Sequence, residues 1–141
     1  MTLAVRLSIA IFAYLATGVL ALQIVAYPQG IAYFWPAAGI AAGVLIGARP
    51  AERVRFAAGI ALAVIGANML SGRGLAEALI LAIANVGEAW LCALLFRKWT
   101  KGGSSLQSLP GVNLFILAAA SAVLLSGLFA VFGLRLIDAS G

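Results

Sequence analysis

Three polar residues of one apolar segment have types and spacing that could support chemistry: Glu77, Asn85 and Glu88. Eleven helical steps of about 100° bring Glu88 back to within about 20° of Glu77, and Asn85 lies one turn before Glu88, so all three are predicted on one helix face. An ionisable group at the centre of a bilayer costs about 2.5–3.5 kcal/mol on insertion scales. We therefore expect Glu88 to face a bundle interior. It would either serve a function or be neutral and hydrogen-bonded to Asn85, Asn68 or a backbone carbonyl.

A strip of glycines follows the second apolar segment, where glycine recurs every fourth residue. Small residues at this spacing let a second helix approach closely, which predicts helix packing, and a moving interface or a narrow ligand cleft is the alternative. The strip consists of Gly39, Gly43 and Gly47, and Gly59 in the third segment is assigned the same packing role.

Three further residues have both a structural and a ligand-binding interpretation. Trp35 and Pro36 directly precede the glycine strip, where they could anchor the chain at the interface and start a helix. Asn68 ends the third segment and could donate a hydrogen bond across to the fourth helix. The candidate ligand or signalling residues are therefore Trp35, Pro36, Asn68, Glu77, Asn85 and Glu88.

The composition predicts that lipid is the main solvent of the chain. Its 141 residues are 65% hydrophobic and 9% charged, with a mean hydropathy of +1.14, whereas soluble domains are about one quarter charged. Such a chain cannot cover a water-facing surface and is too apolar for disorder, so we predict an all-α integral membrane protein with one domain over residues 1–141.

Several kinds of chemistry are excluded. The chain has no histidine and a single cysteine, Cys92, so histidine-ligated metals, Ser-His catalysis and an internal disulfide are ruled out. Glu77 and Glu88 lie about 16 Å apart along a helix axis, too far to share a reaction centre. We therefore expect no catalytic residues, no enzyme and no metal site, and the sequence assigns no cofactor.

Five apolar segments predict a bundle of about five transmembrane helices. Pro36 interrupts the second segment, and a helix starting there keeps about 13 residues, or roughly 20 Å, which is too short to cross. The part before Pro36 is then a kinked helical extension or an irregular segment buried by neighbouring helices. The approximate spans are 7–26, 31–48, 56–70, 75–96 and 112–134.

The basic residues predict the orientation. The net charge of +5 would suggest nucleic acid in a soluble protein, but here the cations mark topology and no nucleic acid is expected. Alternation of the spans leaves Arg73 and Arg135 on one side, so we predict a cytoplasmic N terminus and an external C terminus in a bacterial inner membrane. The opposite, cytoplasmic side holds Arg6, Arg49, Arg53, Arg55, Arg97, Lys98 and Lys101.

Three segments in this order resemble the first-described MASE-type membrane-associated sensor domain of bacteria: WPAAGIAAGVLIG, RFAAGIALAVIGANMLSG and AIANVGEAWLCALLFRKW. The resemblance covers about residues 26–98. It implies an input domain of about eight spans that precedes a cytoplasmic histidine kinase or cyclic-dinucleotide module. With five spans and no output module, we expect a truncated piece, a degenerate relative or a standalone subunit. The matching positions are Trp35, Pro36, Gly39, Gly59, Ala67, Asn68, Asn85, Glu88 and Ala89.

Three functions follow as hypotheses. The first is a non-enzymatic sensory or ligand-binding input domain, with its ligand between the second and fourth spans near Trp35 and Glu88. It would act through a partner or a missing C-terminal output module. The second is an accessory or structural subunit of a larger membrane complex. The third, a solute-binding transport component, ranks last because no inverted repeat is visible. Besides the bilayer, a protein partner in the membrane or a homo-oligomer is expected.

Overall fold

Helices form along the continuously apolar segments, because a chain in lipid must satisfy its backbone hydrogen bonds internally. The computed structural model describes residues 2–23, 35–101 and 106–140, and this part of the chain contains helices and no strands. The expected all-α membrane bundle is confirmed. The helices are α1 Leu3–Gln23, α2 Pro36–Gly47, α3 Arg53–Leu70, α4 Leu75–Trp99 and α5 Leu109–Ser140, with a short 3₁₀ turn at Pro50–Glu52 before α3.

Four of the five helices in the described residues are long and apolar enough to cross a membrane, and α2 is the exception. Its 12 residues extend over about 18 Å, against about 30 Å of hydrocarbon. Pro36 occupies the first turn of α2, where its fixed φ and missing N–H favour a helix start. The predicted extension over residues 31–34 lies outside the described residues, as do residues 24–26 of the first predicted span.

Several helices extend beyond the predicted spans. α3 begins at Arg53, so Arg53 and Arg55 are helical although a loop was predicted up to residue 55. The turn Pro50–Glu52 leads directly into the helix, and arginine is a good helix former with a side chain that can extend toward water. α5 continues to Ser140 because residues 135–140 contain no glycine or proline that would end it.

α4 occupies the centre of the bundle. It packs against α2, α3 and α5, whereas α1 packs against α2 and α3 on the far side. Within the described residues the backbone of α5 approaches α4 alone, and most of its side chains are exposed at the edge of the bundle. On its inner face, Ala118 and Ala122 share an apolar cluster with Ala42 of α2. The largest completely buried side chains are Tyr14, Leu45, Phe56, Ile60, Val64 and Phe96.

The glycine strip of α2 faces away from the helices of this chain. A Cβ atom added to Gly39, Gly43 or Gly47 would have no atom within 4 Å among the described residues. The four-residue spacing places the three glycines together, but the opposite face repeats small residues at the same spacing. That opposite face fills the core, so the predicted packing of the strip does not occur within the described bundle. Its buried residues are Ala37, Ala41, Ala42 and Leu45.

Gly59 lies at a close contact between two helices. A Cβ atom at this position would lie 2.8 Å from Ile11 Cδ1 and 3.1 Å from Leu7 Cδ1. Both contacts come from α1, so the absence of a side chain at Gly59 lets α1 and α3 approach each other.

Candidate functional site

A chain of polar side chains runs through the middle of the bundle. Trp35 Nε1 donates a hydrogen bond to the Tyr14 hydroxyl at 3.3 Å, and this hydroxyl donates to Asn85 Oδ1, also at 3.3 Å. Asn85 Nδ2 in turn donates to the Leu81 carbonyl at 2.7 Å. Trp35, Tyr14 and Asn85 are called the polar core below.

The Tyr14 side chain bridges two helices whose backbones do not pack directly. Among the described residues α1 has its backbone contacts with α2 and α3, and α4 lies beyond them. Tyr14 is completely buried, and a buried tyrosine needs a partner for its hydroxyl. The indole of Trp35 lies beside Gly18, where an added Cβ would be 3.6 Å from Trp35 Cη2. Trp35 therefore points into the bundle, although an interfacial position was expected.

Glu88 faces the opposite neighbour of α4. Its Oε2 accepts a hydrogen bond from Ser126 Oγ of α5 at 2.8 Å, so its recorded partner is none of those predicted from the sequence. Three helical positions separate Glu88 from Asn85, which is about 60° around the axis. Because α4 is the central helix, this angle directs Asn85 toward α1 and Glu88 toward α5. Asn85 and Glu88 of the predicted common face therefore have hydrogen-bond partners on different helices.

An open groove of about 260 Å³ lies beside the Glu88–Ser126 hydrogen bond, between α4 and α5. Glu88 and Ser126 supply the polar side chains of its wall, and the remaining wall is apolar. The larger side chains that line it are Ile83, Leu91, Leu125 and Phe129.

The two other predicted polar candidates lie at helix ends. Glu77 Oε2 accepts a hydrogen bond from the Gly74 N–H at 3.2 Å, so it caps the start of α4. Asn68 is 3% exposed, and its Nδ2 donates to Val64 O of the same helix at 2.9 Å. The Asn68 side chain therefore bonds within α3, whereas the sequence predicted a bond to the fourth helix. The backbone carbonyl of Asn68 also accepts a hydrogen bond from the Ser71 N–H at 3.1 Å.

A buried carboxylate forms ion pairs with two arginines at one end of the bundle. Glu52, which is 3% exposed, binds the Arg49 side chain and accepts from Arg6 Nη1 at 3.3 Å. The hydrogen bond to Glu52, and then the negative charge of that carboxylate, raise the pKa of Arg49 above its ordinary value. Arg6 also lies over the Phe56 ring at 5.6 Å from its centroid, a cation–π contact.

Arg97, in the last turn of α4, also donates a hydrogen bond from its Nη1 to the Ile46 carbonyl at 2.9 Å. This bond brings the end of α4 to the same cluster. The start of α1, the end of α2, the start of α3 and the end of α4 therefore meet at one end, called the basic end below. Within the described ranges, no three His, Cys, Asp or Glu residues come together as they would to hold a metal ion.

Tyr14, Ser126 and Glu52 were not singled out from the sequence as site residues. Tyr14 carried a usable signal, since a tyrosine in the middle of an apolar span lies far from the interfaces where its hydroxyl would reach water. Glu52 is the single carboxylate among the three arginines at positions 49, 53 and 55, which also could have indicated an ion-pair cluster.

Together, the helical bundle and the polar side chains inside it define an integral membrane domain. The chain matches the MASE1 family over residues 4–139. It belongs to that family, whose members are membrane-associated sensory domains. The match includes α1 and most of α5, beyond the residues that carried the resemblance. No curated protein and no solved structure matches the chain significantly. The sensory class is thus confirmed, and MASE1 is an input domain rather than a catalytic one.

Proposed function

We propose that this chain is a non-enzymatic sensory input domain in which α4 couples the polar core to the outer helix α5. The observation that carries the proposal is the pair of contacts on α4. Asn85 binds Tyr14 of α1, and Glu88, one turn later, binds Ser126 of α5. A rotation or shift of α4 changes both hydrogen bonds together, so a change on one side of α4 is transmitted to the other.

The membrane strengthens this reasoning. Polar side chains in hydrocarbon have few alternative partners, so exchanging one hydrogen-bonded arrangement for another produces discrete states. α5 receives the change because its backbone approaches only α4 within the described residues. Its exposed faces remain open to a membrane partner, or to further spans that lead to a cytoplasmic output module, through which the domain would act.

The proposed orientation places the basic end in the cytoplasm of a bacterial inner membrane. The bonds of Arg6, Arg49 and Arg97 gather charged helix ends at that side, as the positive-inside rule requires of a cytoplasmic face. The C-terminal end of α5 then lies outside.

The test is complementation in the source bacterium. The gene is deleted, and transcript profiles and cyclic-dinucleotide levels are compared with the parent strain over a panel of growth conditions. Wild type should restore every difference. Tyr14→Phe and Asn85→Ala should restore little at equal membrane abundance, whereas Gly39→Ala, at an exposed position with free space, should behave as wild type. Full restoration by both polar-core variants would contradict the proposal.

A second function, an accessory subunit of a membrane complex, is favoured by the uncovered glycine strip of α2. Gly43→Leu places a bulky side chain on that strip without disturbing the described bundle. If the strip binds a subunit, the tagged chain should co-purify stoichiometrically with a specific large membrane protein, and the variant should not. A monomeric chain that restores signalling by itself would contradict this alternative.

A further inference from the structure

The groove between α4 and α5 holds a carboxyl group that no cation of the described chain neutralises. Glu88 is partly exposed and lines the groove, and the ion pairs within the described residues are formed by Glu52. Glu88 lies about 20 Å along α4 from its first residue by helical rise, close to the middle of the helix. A carboxylate at that depth needs a partner, because hydrocarbon does not solvate its charge.

The polar atoms of the groove select for hydrogen-bond donors. An ionised carboxylate only accepts hydrogen bonds. The single hydroxyl hydrogen of Ser126 is directed at Glu88 Oε2 and at the Val123 carbonyl, at 2.8 and 3.2 Å, so the Ser126 oxygen can offer a ligand only its lone pairs. A protonated amine suits this arrangement, since it carries three donors, no acceptor and the opposite charge. An alcohol supplies a single donor, and an anionic headgroup is repelled.

The shape and position of the groove define the rest of the ligand. Its remaining wall is apolar and its volume is about 260 Å³, near the lower end for small-molecule pockets. Because the groove is lined by α4 and α5 alone and most α5 side chains are exposed, the groove lies at the edge of the bundle and faces the bilayer. A ligand can therefore reach it sideways from the lipid.

We propose that this groove binds a membrane-dissolved alkylamine, whose ammonium group pairs with Glu88 and Ser126 while its alkyl chain lies against the apolar wall. The proposal rests on the sensory role above, because it names the class of ligand to which α4 and α5 respond. Amine binding directly at the Glu88–Ser126 contact changes the link through which α4 is coupled to α5.

The test uses the purified full chain in phosphatidylcholine nanodiscs and an alkylamine that carries a photoreactive diazirine at its chain end. The amine should label peptides of α4 and α5 that border the groove, and unlabelled octylamine should compete. The matched diazirine alcohol should label these peptides weakly, and octanol should not compete. Glu88→Gln removes the charge with little change of shape, and it should reduce the apparent affinity for the amine about tenfold.

Two glycines give a matched pair of filling variants. Gly87 lines the groove and Gly127 does not, and a Cβ added at either meets no atom within 4 Å among the described residues. Gly87→Leu should therefore abolish specific labelling by filling the groove, whereas Gly127→Leu should leave it unchanged. Since neither Cβ meets a neighbour, both variants should fold, which far-UV circular dichroism and monodispersity will verify.

Three results would overturn the assignment. Labelling spread evenly over all lipid-facing helices would show partition without a site, and equal labelling of wild type and Glu88→Gln would remove the role of the carboxylate. A groove that stays unlabelled in a chain that is dimeric in the nanodisc would make a partner helix the occupant. These labelling readouts do not depend on signalling. If the amine does not bind but complementation succeeds, the ligand class alone is rejected. Specific binding with failed complementation would reject the sensory coupling alone.

Discussion

Tyr14 and Asn85 join two helices that do not pack directly against each other. The Tyr14 hydroxyl donates to Asn85 Oδ1 at 3.3 Å across the space between α1 and α4, and the Tyr14 side chain is completely buried. In lipid the hydrophobic effect does not favour one arrangement of apolar helices over another. A hydrogen bond of this kind therefore fixes the relative position of α1 and α4.

Removing the Tyr14 hydroxyl should weaken this link measurably. Tyr14→Phe leaves Trp35 Nε1 and Asn85 Oδ1 without their recorded partner, so the free energy of unfolding should fall by about 1 kcal/mol. The measurement is reversible unfolding in mixed micelles with increasing sodium dodecyl sulfate. In the double variant with Asn85→Ala, the loss of unfolding free energy should be smaller than the sum of the two single losses. The difference should be about 0.6 kcal/mol, the average for hydrogen bonds between membrane helices.

Ser121→Ala is the control for that cycle, because Ser121 Oγ donates to the Leu117 carbonyl of its own helix. Tyr14→Phe and Ser121→Ala should be additive. Strict additivity of Tyr14→Phe with Asn85→Ala as well would mean that the 3.3 Å contact contributes no coupling between the helices.

Two glycines of similar sequence context should respond in opposite ways to the same substitution. Gly59→Leu should lower the free energy of unfolding by about 1–3 kcal/mol, since a Cβ there already lies 2.8 Å from Ile11 Cδ1. Gly43→Leu should leave stability unchanged or raise it slightly, because a Cβ there meets no described atom and leucine favours helix more than glycine does. The same unfolding assay on both variants measures this difference. Equal losses would show that something also covers the α2 strip in the purified protein.

Spacing on a helix predicted which residues lie near one another but not what each one faces. The glycines of α2 do share one face, yet that face is the outer one, since both faces of α2 carry small residues at the same interval. Asn85 and Glu88 differ by only about 60° around α4, and the position of α4 between α1 and α5 separates their partners. That position results from packing of the whole bundle, which a single segment does not encode.

Other features were determined by local chemistry and were predictable. Apolar length and a scarcity of charge required membrane helices, and proline at the first position explains why α2 starts at Pro36. The Tyr14 bridge depends on a contact between residues 71 positions apart, and the Glu52 cluster depends on α1 packing beside the α2–α3 turn. No periodicity within one segment specifies such long-range pairs.

The ion pairs of Glu52 should stabilise the basic end in a salt-dependent way. Arg6→Gln removes a cation that both pairs with Glu52 and lies over Phe56, so it should unfold more easily than Arg55→Gln, whose wild-type side chain is exposed. The Arg6 side chain is 32% exposed. Salt should therefore partly screen its ion pair and reduce the difference in unfolding midpoint between the two variants. The midpoints are measured at low and high sodium chloride. Equal midpoints of the two variants at both concentrations would contradict a stabilising cluster.

The proposed orientation predicts opposite reactivity at the two ends of α4. Ser71, in the turn before α4, and Lys98, in its last turn, are both exposed, so Ser71→Cys and Lys98→Cys report the two sides of the membrane. The native thiol Cys92 is buried, and Cys92→Ala removes it as background. In intact cells whose outer membrane has been permeabilised, a membrane-impermeant maleimide should label only Ser71→Cys, and lysis should expose Lys98→Cys as well. Because α4 crosses the bilayer between these residues, the reverse pattern would place the basic end outside, against the positive-inside rule. Labelling of both in intact cells would contradict the assignment of α4 as a spanning helix.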